Sequence, residues 1–253
     1  MQKGYTIIVV GAGGIGTHLM PMLIRSLIPT SDYIVEKFIV VDGDTYERKN
    51  LARQQFTELA IGRNKAEVQA EKIRMLMRPI VPGVEKIVEA FPHYITEANL
   101  PMLLRGITND IIIFSGVDNH PCRLLLSRFT ERNKDRNILL FTGGNNRMDG
   151  SVHCQGKWQG VEFDEPIENR HPEILTDTTD DRAEMSCQEL HNLAGGEQTI
   201  AANAMAAAIM YAWFVSILEN PTKTNDIEDF YYDLSTMNVR SIRPVKTLSV
   251  KEK

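Results

Sequence analysis

Four β-branched residues, Ile7-Ile8-Val9-Val10, run straight into Gly11-Ala12-Gly13-Gly14-Ile15-Gly16. Apolar residues then return at helical spacing, at Leu19, Met20, Leu23, Ile24 and Leu27. A buried strand that turns through glycines into a helix is the opening unit of a parallel α/β sheet. The first turn of such a helix leaves N–H groups unpaired and carries partial positive charge, so it suits a phosphate. Glycine lets the backbone bend sharply there and approach an anion closely. The G-x-G-x-x-G spacing is weak by itself, but its strand–helix context makes it a dinucleotide-type turn.

The second apolar run, Phe38-Ile39-Val40-Val41, ends at Asp42-Gly43-Asp44. An acid at that strand end accepts hydrogen bonds from a ribose. To this point NAD, FAD and ATP fit equally. Close behind come Asn50-Leu51-Ala52-Arg53-Gln54 and Gly62-Arg63-Asn64-Lys65. A dehydrogenase has no use for Arg53 and Lys65 so near the ribose acid, whereas the outer phosphates of a triphosphate need cations.

These motifs resemble the ThiF/MoeB/HesA family, the bacterial relatives of ubiquitin-activating enzymes. The shared pattern is G-x-G-G-x-G at Gly11, Gly13, Gly14 and Gly16, D-x-D at Asp42 and Asp44, N-L-x-R-Q from Asn50 to Gln54, and G-x-x-K at Gly62 and Lys65. The resemblance implies that Asp42 holds the ribose and that Asn50, Arg53, Gln54 and Lys65 handle the phosphates of ATP. It also implies that Asp118, with Asn119 and Arg123 behind it, helps hold Mg²⁺. Asp118 is expected to cap the following helix as well. Cys187 matches a cysteine that in some members forms a thioester or takes sulfur and in others does neither. The implied reaction is adenylation of a C-terminal carboxylate, typically that of a ubiquitin-like protein or a peptide. Members commonly pair as symmetric dimers. Relatives often carry two Cys-x-x-Cys pairs for zinc, and this chain has neither, so no structural zinc is expected. Relatives also carry an arginine-bearing helix ahead of the first strand. Its lack here keeps a non-catalytic nucleotide-binding subunit open, and an NAD-linked oxidoreductase is a third reading.

The expected fold is a Rossmann-like, mostly parallel sheet with helices on both faces and antiparallel strands toward the C-terminus. One adenylation domain is expected, with a nucleotide-binding half over about 1–150 and a crossover loop, interface helix and last strands over about 151–253. Helices are predicted at 17–28, 64–77 and 99–105, with another beyond Asp118. Strands are predicted at 85–90, 111–115, 138–142 and 150–155, with a hairpin over 230–234 and 238–245. Residues 156–186 read as one long acidic loop. The run from Ile200 to Leu218 has the length of a membrane span, but its alanines favour a core or dimer-interface helix. Hydrophobic residues make up 43% of the 253, enough for a core, and a net charge of −5 with no basic face argues against nucleic acid. Three scattered cysteines do not make a disulfide framework. With no signal-like segment before the first strand, a cytoplasmic protein is expected.

Overall fold

The computed structural model describes residues 3–30, 32–163, 165–176 and 198–243. Strand β1 (Lys3–Val10) leads into helix α1 (Gly14–Leu23), and β2 (Tyr33–Val41) follows. Next come α2 (Lys65–Met77), a short α3 (Val84–Ile87), β3 (Val88–Phe91) and a short α4 (Leu100–Leu103). Strand β4 (Asp110–Ser115) precedes α5 (His120–Arg132), then β5 (Ile138–Asn145), β6 (Asp149–Trp158) and β7 (Val161–Phe163). Two single-turn helices, α6 (Ile167–Arg170) and α7 (Glu173–Thr176), follow. The 20-residue α8 (Ile200–Glu219) precedes the hairpin of β8 (Asp229–Asp233) and β9 (Asn238–Ile242).

The strands form one sheet in the order β3-β2-β1-β4-β5-β6-β8-β9, with β7 paired to β6. The pairs from β3 through β5 are parallel, and those from β6 onward are antiparallel. Alternate side chains feed two cores, as the twofold period of a strand requires. Ile7 and Val9 face one core with α1, α2 and α8, while Ile8 and Val10 face the other with α4 and α5. The sheet therefore carries helices on both faces, as expected.

Helix α8 is the lid of the first core. Phe114 and Phe141 stack at 5.0 Å on neighbouring strands, and Phe214 meets Phe114 edge-on at 5.4 Å. Trp213 meets Phe141 edge-on at 5.9 Å. These edge-to-face contacts add to the burial of large rings. The helix is long and apolar enough to cross a membrane, and half of its most apolar window is buried inside this fold.

Several boundaries move. Helix α1 starts at Gly14, not at 17, and tightens into a 3-10 turn at Ile24–Leu27, just beyond Pro21, which has no N–H to donate. The third strand begins at Val88, since Gly83, at φ 76°, starts the helical turn of α3 over the expected strand residues. Strands β5 and β6 run longer than predicted because they pair with each other from Leu139 to Gly156. The acidic stretch is not wholly loop, as it contains β7, α6 and α7.

Candidate active site

Between β1 and β4 the order of strand connection reverses, and such a switch point opens a crevice beyond the strand ends. A cleft of about 530 Å³ lies there. Its first wall is the glycine turn. Gly11 has φ 94°, and its N–H donates to Val41 O at 2.9 Å. A Cβ on Gly16 would come within 1.9 Å of Gly11 O, so α1 can leave the strand this closely only from a glycine.

Asp42 fastens that turn to β2. One carboxylate oxygen accepts the Ala12 N–H at 2.7 Å, and the other accepts the Asp44 N–H at 2.8 Å. Burial pushes its pKa up to about 6, although Lys65 and these two N–H groups pull the other way.

The cations arrive on the excursion between β2 and α2. Asn64 caps α2 by accepting from Glu67 N, and its Nδ2 donates to Asp42 O at 2.9 Å and Asp44 O at 3.1 Å. The next residue, Lys65, is thereby aimed inward. Its Nζ donates to Asp44 Oδ2 at 2.9 Å, and its side chain is only 4% exposed. Tyr94 also donates to Asp44. The Asp44 carboxyl lies below its ordinary pKa: burial would raise it, but Lys65, with Tyr94 and Lys49, outweighs that. Arg53 donates through Nη1 to Gln198 at 3.3 Å, while its buried Nη2 finds no acceptor among the described residues.

The opposite wall comes from β4 and β5. Asn119, not Asp118, caps α5, accepting the Cys122 N–H at 2.7 Å. Asp118 is left as an exposed carboxylate on the cleft, with no hydrogen bond or ion pair among the described residues, and its charge favours that of Arg123. Behind it Arg123 donates to Val117 O at 3.1 and 2.8 Å and to Gly143 O at 3.3 Å, tying the ends of β4 and β5 together.

The cleft thus brings together Gly11, Gly13, Gly14, Asp42, Asp44, Arg53, Gln54, Lys65, Asp118 and Asn119. Gly16 and Asn50 do not line it. Gly16 packs against the turn from behind. Asn50 is buried and accepts the Glu47 N–H at 2.9 Å, shaping the 3-10 turn that carries Arg53. Cys187 lies outside the described residues. Cys122 is buried, which pushes its thiol up to about 12, and Cys154 is buried in β6. Among the described residues no group of three His, Cys, Asp or Glu side chains is placed to hold a metal ion. Sequence reasoning gave no site role to Tyr94, Gln198 or Asn203, which also line the cleft. Only Asn203 carries a signal in the sequence, as a lone amide in an alanine-rich apolar run.

A glycine turn at the switch point, an acid on the neighbouring strand end and two inward cations make this cleft the candidate nucleotide site of an α/β protein. The chain belongs to the ThiF family, whose profile matches residues 3–252. Among curated proteins no match was found. Among solved structures, E. coli MccB with ATP is similar, at 18% identity and a TM-score of 0.59 over 94% of this chain and 63% of that one. MccB described as the Microcin C7 biosynthetic enzyme, in complex with N-formylated MccA, gives 18% identity and a TM-score of 0.57 over 94% and 64%. Selenomethionine PaaA gives 17% identity and 0.59 over 94% and 64%. At these identities the likeness is one of fold, and the chain spans under two thirds of those proteins.

Proposed function

We propose that this chain is a ThiF-type adenylyltransferase, which uses ATP to activate the C-terminal carboxylate of a peptide or a ubiquitin-like protein. The observation that carries the reading is the convergence of the glycine turn, Asp42, Arg53, Lys65 and Asp118 on one cleft. The fold shared with MccB, solved with ATP and with N-formylated MccA, supports it.

A carboxylate is ionised near neutrality, so it attacks the α-phosphorus of ATP without a general base. The new bond joins carboxylate oxygen to phosphorus, the bond to the β-phosphate oxygen breaks, and pyrophosphate leaves. Charge is then the main barrier, and fixed cations lower it. Lys65 has three N–H donors, so it serves Asp44 and a phosphate together. Arg53 offers its Nη2, unpaired among the described residues. Mg²⁺ carried with ATP would neutralise phosphate charge, and such an ion needs only one or two protein carboxylates, which Asp118 fits. Whether Cys187 then receives the acyl group is a separate question that a thioester trap would answer.

ATP–pyrophosphate exchange with candidate carboxylate acceptors tests the proposal. Acceptor-dependent exchange, lost in Asp118→Ala, supports it. ATP binding with no exchange points to a non-catalytic subunit, and NADH binding in place of ATP points to an oxidoreductase. We also propose a symmetric pair through α8, whose exposed positions Ile200, Ala201, Ala208 and Ala212 are apolar.

A further inference from the structure

One buried polar side chain in the cleft has no part in the reaction as drawn. Asn203 on α8 is 0% exposed, and neither Nδ2 nor Oδ1 has a hydrogen-bond partner among the described residues. It is the only polar residue between Ile200 and Met210. An unpaired amide buried in an apolar helix costs about 1–3 kcal/mol, which an apolar residue of similar shape would avoid.

Its position shows what could use it. A Cβ built on Gly14 would lie 2.5 Å from Nδ2 and 2.6 Å from Oδ1, so the carboxamide rests on the first residue of α1. The helix N-terminus beneath it is an anion site. Two more buried atoms have no partner among the described residues, Arg53 Nη2 and Gln54 Oε1, and both residues line the cleft beside Asn203. The Gln54 amide lies 3.7 Å from where a Gly13 Cβ would sit. Turning the Asn203 carboxamide by half a rotation exchanges its two atoms and still leaves a donor at the turn.

We infer that Asn203 contacts the ligand directly, its amide N–H₂ donating to a phosphate oxygen seated on the N-terminus of α1. The inference rests on the nucleotide reading above and adds that α8, the helix covering the sheet, senses the phosphate chain.

Calorimetric titration of ATP, inorganic tripolyphosphate and adenosine against wild type, Asn203→Ala and Asn203→Ser tests it. Loss of a hydrogen bond to a charged group predicts that Asn203→Ala weakens ATP and tripolyphosphate about tenfold or more. Asn203→Ser keeps a shorter donor and should fall between. Adenosine should bind all three within about twofold. Circular dichroism melts confirm that the variants fold. ATP and tripolyphosphate binding within twofold of wild type in Asn203→Ala would overturn the inference and leave the nucleotide reading standing. Equal weakening of adenosine and ATP would overturn it too, marking Asn203 as packing alone. A wild type that binds neither ATP nor tripolyphosphate removes both.

Discussion

Asp42 bonds to two backbone N–H groups and still titrates near 6, because burial outweighs them. Below that pH it carries a proton and stops being a pure acceptor for a ribose. ATP affinity should therefore fall as pH drops through about 6, approaching tenfold per unit, and Asp42→Asn should flatten that profile in calorimetry from pH 5 to 7.5. For stability the sign is opposite: a carboxyl raised in the folded state contributes fully below its unfolded pKa and loses that contribution as pH rises through about 6. The glycines separate two kinds of constraint. Gly16→Ala would drive a Cβ into Gly11 O at 1.9 Å, against backbone that cannot yield, so urea titration should show a severe loss of stability. Gly14→Ala meets first the Asn203 carboxamide, a side chain rather than backbone, and should cost less, about 1–3 kcal/mol. Both glycines belong to one motif in the sequence. Only the packing shows that one borders the cleft and the other borders the backbone.

The element that aims the cations is the cap of α2. Asn64 accepts from the helix and donates to the carbonyls of Asp42 and Asp44. Asn64→Ala should lower unfolding free energy by about 2 kcal/mol, adding a lost cap to lost donations. Asn64→Asp keeps the cap acceptor and loses the donations, so it should recover about half of that in chemical denaturation. Asn64 stood inside a recognised motif, but its double use depends on a meeting across twenty residues of chain that no local pattern encodes. Helix α8 is the reverse case. Its extent was legible from composition almost to the residue, yet its contact with the glycine turn was not, since an amide among alanines does not say which way it faces.

Across the whole molecule, the antiparallel half is locked from within. Asp229 on β8 is 1% exposed and lies 3.1 Å from His153 of β6 and 3.5 Å from His171, while Arg170 approaches at 3.5 Å. Burial would raise the Asp229 pKa, but the two histidines override it and hold the carboxyl near 2. The same contact raises His171 above its usual value. The carboxylate's contribution to stability is present above its unfolded pKa of about 4 and is lost as pH falls toward 2. The histidine's is complete below its unfolded pKa of about 6.5 and is lost as pH rises through the folded one. Urea midpoints should therefore peak between about pH 4 and 6.5, and Asp229→Asn should remove that peak and cost about 3–5 kcal/mol at its height.

The sequence alone determined the parallel half, the order of strand, glycine turn, acid and cations, and the family. It could do so because buried strands, glycine elbows and helix periods are written in adjacent residues. Tertiary structure decided which polar groups of the motifs reach the cleft, that Asn119 rather than Asp118 caps α5, that Asn50 shapes a turn instead of facing the cleft, and that His153, His171 and Asp229 meet. Those outcomes rest on where separate elements dock and how buried polar atoms find partners, and both are set by packing across the sheet.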